Sequence, residues 1–174
     1  RLKIEAYYQY LYNVPVRSES SSYSILNTGA DFGIDLDENM VNDGTGTNYG
    51  LEFTLEKFYT QSLYYLATLS LFDSKYTSSD GIKRDTRFNT SFVANALVGK
   101  EFRLDDRKVI FFDVKTAWSG GQRFTPIDLA RSRRVGSLKY DESQAFSAQH
   151  PDYFKIDAKI GFRLSGARTT QEWM

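Results

Sequence analysis

The sequence predicts an all-β protein, an antiparallel up-and-down meander that forms a fragment of a transmembrane β-barrel. Three observations predict it. Apolar and polar residues alternate with period two through most of the chain, the mark of strands with two unlike faces. The alternating stretches are long: soluble strands average ~5–6 residues, whereas a tilted membrane-spanning strand needs ~9–11. The connections alternate between tight and long, as the two rims of an outer-membrane barrel do.

The elements follow in order. Leu2–Tyr12 sets Leu2, Ile4, Ala6, Tyr8, Tyr10 and Tyr12 against Lys3, Glu5, Tyr7, Gln9 and Leu11. Asn48–Phe58 sets Tyr49, Leu51, Phe53 and Leu55 against Gly50, Glu52, Thr54 and Glu56. Leu63–Lys75 places Leu63, Tyr65, Ala67, Leu69 and Leu71 on one face; its other face, Tyr64, Leu66, Thr68 and Ser70, is less polar. Phe88–Leu104 sets Phe92, Ala94, Ala96 and Val98 against Asn89, Ser91, Asn95, Gly99, Glu101 and Arg103. Lys108–Trp118 sets Ile110, Phe112, Val114 and Trp118 against Asp113 and Lys115. Tyr153–Ser165 sets Phe154, Ile156, Ala158, Ile160, Phe162 and Leu164 against Lys155, Asp157, Lys159, Gly161 and Arg163. A seventh strand begins near Thr169. No stretch of useful length has helical period.

Residues 13–47, 76–87 and 119–152 are the longer connections, expected on the extracellular side; 59–62, 105–107 and 166–168 are tight and expected on the periplasmic side. This assignment orients every strand. Charged residues on apolar faces should then lie near strand ends, where they reach water. Lys57 and Lys100 fall at inner ends and Asp73 at an outer one. Interface aromatics should gather at both ends: Tyr10, Tyr12, Tyr49, Trp118 and Phe154 outside, Phe102 and Phe162 inside. A soluble sandwich or lipocalin-like barrel shares the alternation with its apolar face turned inward, and is the competing architecture.

Composition narrows the function classes. The 174 residues carry 22 basic and 22 acidic side chains and no Cys. A zero net charge gives no field for nucleic acid, and without Cys there are no disulfides or thiolate metal sites. No run of 18 apolar residues could form a transmembrane helix; a barrel strand, with half its residues facing a polar lumen, is not excluded. The chain starts at Arg1 without an apolar leader and stops at Met174 within a strand pattern, so both ends read as cuts with a signal peptide upstream.

Several stretches resemble the C-terminal barrel of TonB-dependent receptors, especially those of Bacteroidetes. Asn42-Asp43-Gly44-Thr45-Gly46-Thr47-Asn48-Tyr49-Gly50-Leu51-Glu52 is similar to the family's Gly-x-x-Tyr-Gly-x-Glu strand start, and Ser70-Leu71-Phe72-Asp73-Ser74-Lys75-Tyr76 to the strand end after it. Ser119-Gly120-Gly121-Gln122-Arg123-Phe124-Thr125-Pro126-Ile127-Asp128 resembles Gly-Gly-x-Arg-Tyr-Thr-Pro, with Phe124 in place of Tyr. Pro151-Asp152-Tyr153-Phe154-Lys155-Ile156-Asp157 resembles the start of the penultimate strand. The resemblance covers nearly all of residues 1–174 and makes them a partial receptor barrel of about seven strands. It implies an outer-membrane location, a plug and coupling box outside this chain, and energy from the TonB complex. It further implies import of a siderophore, another metal chelate or an oligosaccharide, with outer-membrane lipid and a surface lipoprotein as further partners. A passive or structural outer-membrane barrel and a soluble β-barrel or sandwich binding module are the alternatives.

The residues point to no catalytic group, metal site or cofactor. His150 is the one His and precedes Pro151 in a loop without a spaced partner. Glu52, Glu56, Asp113 and Asp157 read as lumen carboxylates interleaved with Lys3, Lys115, Lys155, Lys159 and Arg163, rather than as a glycosidase pair. The acidic connection 13–47 fails the calcium-loop template, with Met40 where Gly is needed and Gly46 where Glu is needed. Gly44-Thr45-Gly46 reads as a turn. Arg131, Arg133 and Arg134 share their loop with Asp128, Asp141 and Glu142, which argues against nucleic acid. Ligand contacts are expected in the outer loops, with Trp118, Arg123, Phe124 and Tyr140 as candidates. Aromatic faces stack on sugars or aryl chelators and Arg holds an anion; otherwise Gly120-Gly121 and Pro126 simply shape a packed loop. Seven strands cannot close a wide barrel, so the two edges are expected to pair with another copy or the sheet to curl on itself.

Overall fold

The computed structural model describes residues 1–29, 39–166 and 169–174. Its strands are β1 (Leu2–Arg17), β2 (Met40–Thr60), β3 (Leu63–Thr77), β4 (Lys83–Asp85), β5 (Phe92–Arg103), β6 (Lys108–Ser119), β7 (Arg123–Phe124), β8 (Ala148–Gln149), β9 (Tyr153–Ser165) and β10 (Thr170–Trp173). Seven of them lie in the order β1-β2-β3-β5-β6-β9-β10, each antiparallel to the next. The fold is the all-β meander that the alternation predicts. Short β4 pairs with the outer end of β3, and β7 pairs with β8 inside the loop between β6 and β9. Among the described residues the sheet is open and not closed as a barrel, so the expected curling on itself does not occur.

The pairing register carries one apolar face across all seven strands. Ile4 faces Phe53, Phe53 faces Leu69, Leu69 faces Ala94, Ala94 faces Trp118 and Trp118 faces Phe154. The row below runs Leu2, Leu55, Ala67, Ala96, Thr116 and Ile156. Trp173 continues the face beside Phe162, with their rings stacked at 5.8 Å. Nothing among the described residues covers this face: Ile4 is 59%, Ile156 60% and Ile160 68% exposed. The charged exceptions sit at strand ends, as expected. Lys100 donates to the Gln61 carbonyl in the inner turn at 3.3 Å, and Asp73 accepts from the Tyr49 hydroxyl at 2.8 Å.

The opposite face is polar and ion-paired. Lys3 meets Glu5 at 2.6 Å, Lys155 meets Asp157 at 2.9 Å, and Arg163 bridges Glu101 and Glu172 at 3.2 Å each. Three aromatic rings on this face lie across the glycine opposite them: Tyr7 on Gly50, Tyr64 on Gly99 and Phe111 on Gly161.

The inner connections are tight for local reasons. Gln61 and Ser62 both take positive φ, the two-residue hairpin geometry that matches strand twist. Asp105 accepts from the Arg107 and Lys108 amides at 2.8 and 2.9 Å. The turn at 166–168 lies partly outside the described residues, as do Asp31, Asp35, Asp37 and Glu38 of the acidic loop.

The outer boundaries correct the sequence reading. The connection expected over 13–47 is shortened at both ends, because β1 runs to Arg17 and β2 starts at Met40. Gly44-Thr45-Gly46 is therefore strand, not turn. Conversely, β5 starts at Phe92, not Phe88. A seven-residue helix, α1 (Leu129–Val135), occupies the loop before β9, capped by Asp128 at its start and by left-handed Gly136 at its end.

Candidate functional site

Among the described residues, the least exposed side chains cluster where three outer loops meet the strand ends. The device that starts this is a bulge in β1. Leu11 faces Gly46 but Val14 faces Gly44, so Tyr12 and Asn13 together oppose one residue, with Asn13 at φ 54°. The extra residue moves Val14 and Val16 from the apolar face to the polar one. There both are buried, at 6% and 0% exposure. Leu26, from the loop after β1, packs beside Gly46 and Leu11.

Tyr76, at the outer end of β3, joins the loops. It faces Gly46, donates its hydroxyl to the Ser22 carbonyl at 2.9 Å, and meets the Phe146 ring edge-on at 6.1 Å. Ser78 donates to the Tyr23 carbonyl, and Ser22 to the Glu142 carboxylate at 2.5 Å. On the other face of β3 and β4, Asn89 donates its amide to both Asp73 and Asp85, at 2.8 and 2.7 Å. Arg123 ties the third loop to this cluster, pairing with Asp85 at 3.3 Å and donating Nε to the Asn89 carbonyl at 3.1 Å. Arg84 of β4 forks onto Asp80 of the β3–β4 turn at 3.0 and 2.7 Å. Those hydrogen bonds hold the Asp80 carboxyl below the usual carboxylate range and raise the Arg84 guanidinium.

These loops enclose a cavity of about 950 Å³. Arg123, Phe124 and Tyr140 line it, together with Tyr23, Asn27, Arg87, Glu142, Phe146 and His150. Three of the four residues expected to touch ligand are thus brought together. Trp118 is not among them. It lies on the apolar face, edge-on to Phe92 at 4.9 Å, because its register pairs it with Ala94 and Phe154. His150 is exposed and lies against the Phe124 ring at 4.4 Å. No family model, curated protein or solved structure matches this chain.

Asn27 and Arg87 are among the lining residues that the sequence did not mark. They are sixty positions apart and meet only through the fold, with the Arg87 amide donating to Asn27 Oδ1 at 2.8 Å. The loop glycines behave as shaping residues. A Cβ at Gly120 would lie 1.9 Å from the Thr90 carbonyl oxygen, and one at Gly121 would lie 1.9 Å from that of His150. The carboxylates Asp113 and Asp157 take the Tyr64 hydroxyl at 2.8 Å and Lys155 at 2.9 Å.

Proposed function

We propose that this chain is part of an outer-membrane β-barrel that imports a nutrient, with energy supplied through the TonB complex. The observation that carries the membrane reading is the uncovered apolar face, continuous over seven strands and bordered by aromatics at both ends. Tyr8, Tyr10, Tyr49, Trp118 and Phe154 border it outside; Phe102, Phe162 and Trp173 border it inside. From the Trp118–Phe154 row to the Ile110–Phe162 row is eight residue steps. At ~3.3 Å per residue and a tilt near 40° that is roughly 20 Å of height. An apolar band in such barrels is about 25 Å tall. A soluble sandwich would need a second layer on Ile4, Phe112, Ile156 and Ile160, and among the described residues there is none. The polar face, with its interleaved ion pairs, suits an aqueous lumen. The energy-coupled import and the TonB partner rest on the sequence resemblance alone.

The test sets two neighbours on β9 against each other in the intact protein. Ile156→Arg places a cation within the apolar band and should cost about 2–4 kcal/mol of folding free energy in lipid vesicles. Asp157→Arg, on the other face, should change it by less than about 1 kcal/mol. Equal effects, or a protein that stays monodisperse in buffer without detergent, would end the membrane reading. Uptake that persists after the membrane is de-energised would favour a passive barrel.

A further inference from the structure

The cavity beneath the outer loops is rich in donors, and two of them lack a well-formed partner. Asn27 is 8% exposed. Its Oδ1 is occupied by the Arg87 amide, which fixes the orientation of the side-chain amide. Its Nδ2 is buried and directed towards the Tyr76 hydroxyl oxygen, without forming a hydrogen bond of good geometry. A buried donor without a well-formed partner is unfavourable, so an incoming oxygen would complete the site. The Arg87 guanidinium lines the same cavity and rests over the Phe88 ring at 5.9 Å. Among the described residues it has no carboxylate partner, whereas Arg123 is matched by Asp85 and Glu142 is held by Ser22. The apolar part of the lining is half-open: Phe124 is 37% and Tyr140 47% exposed.

We propose that this cavity binds an organic oxyanion, a carboxylate or phosphate carried on a ring or aliphatic body. Asn27 Nδ2 and the Arg87 guanidinium take the oxyanion, and Phe124 and Tyr140 flank the body. An ionised acceptor forms the stronger class of hydrogen bond with both groups. The proposal rests on the transporter reading for its meaning, as the place where an imported solute is first held, but binding is measurable without transport.

Calorimetry on the intact protein in detergent, with benzoate and phenyl phosphate as probes and benzamide as the neutral control, tests it. An anion should bind about tenfold or more tightly than benzamide, and added salt should weaken it. Preference for benzoate names a carboxylate as the ligand group; preference for phenyl phosphate names a phosphate. Asn27→Asp keeps the acceptor that Arg87 uses and replaces only the poorly partnered donor, so anion affinity should fall about tenfold or more. Arg87→Gln alters an exposed side chain and should act in the same direction. Arg131→Gln, on α1 and outside the cavity, should change nothing. Equal binding of benzoate and benzamide, no anion binding at millimolar concentration, or full affinity in both Asn27→Asp and Arg87→Gln would overturn the proposal. Each of these would leave the membrane reading to the β9 comparison. Anion binding by a protein that needs no detergent would keep the site and remove the transporter.

Discussion

At the scale of single residues, the polar face is organised by glycines under aromatic rings. A Cβ at Gly99 would lie 2.2 Å from the Tyr64 ring, and one at Gly161 would lie 2.1 Å from that of Phe111. Both are far inside contact distance, so each ring lies on the backbone only because the opposite residue has no side chain. Phe111 is thereby 5% exposed on a mostly polar face, with Lys159 and Arg163 over its ring at 5.0 and 5.6 Å. Two effects oppose each other in Gly161→Val. Valine gains up to about 1 kcal/mol in strand preference, while displacing the ring costs about 1–3 kcal/mol. The clash should win, and denaturant titration in vesicles should register a net loss. In Phe111→Ala the clash is gone, so there the same valine should be neutral or stabilising, a coupling that a double-mutant cycle reads directly. A Gly161→Val protein as stable as the parent would mean that the ring does not need the glycine. Tyr7 and Tyr64 read in the sequence as aromatic exceptions on polar strand faces; their meaning waits on register, which puts Gly50 and Gly99 opposite them.

At the scale of elements, the outer cap depends on the β3–β4 turn and its ion pair. Arg84 is 9% exposed and Asp80 is its carboxylate partner. The Asp80 carboxyl is lowered in the folded chain, chiefly by the Arg84 hydrogen bonds. Its contribution is therefore complete above the unfolded value, near 3.9, and is lost as pH falls through the lower folded value. Amide exchange over residues 78–91 should be flat from pH 8 to 5, after correction for intrinsic rates, and should accelerate below about pH 4. Asp80→Asn leaves a buried guanidinium unmatched and should open the same segment at neutral pH, at a cost on the order of 3 kcal/mol. Unchanged protection in that variant would assign the cap's stability elsewhere, to Tyr76 and Phe146. Strand faces were legible here because alternation survives any register, and β9 spans the same residues, Tyr153–Ser165, that the alternation predicts. The outer ends were not. Val14-Pro15-Val16 reads as a loop, but β1 is an edge strand with a bulge, where Pro is tolerated. Gly44 and Gly46 read as a turn, but they are strand positions crowded by Val16 and Leu26. Arg123, Phe124 and Tyr140 were legible by type and loop; Asn27 and Arg87 were not, since nothing local marks residues that only the fold brings together.

At the scale of the whole molecule, two long strand edges remain open among the described residues. β1 pairs with β2 alone, and β9 has β10 beside it only from Phe162 to Ser165, so Tyr153–Gly161 has one partner strand. The strands are also staggered: Tyr153 at the outer end of β9 falls in the row of Glu52, well inside the start of β2 at Met40. Stagger of this kind is what tilted strands in a barrel wall have, and a wall has no edges. In the bilayer proposed here, each unpaired N–H or C=O costs several kcal/mol, far more than the fraction of a kcal/mol by which neighbouring side chains hold strands in register. Both edges must then find strands, either from further chain or from another copy. Produced on its own in detergent, the 174-residue chain should therefore be an oligomer by native mass measurement. The absence of cysteine makes the geometry accessible: with Tyr8→Cys and Ala158→Cys introduced together, one on each edge, oxidation should link protomers head to tail. A compact monomer whose edge amides exchange freely, with no cross-link formed, would show that the open sheet is stable as it stands and would remove the argument that this chain belongs to a closed wall.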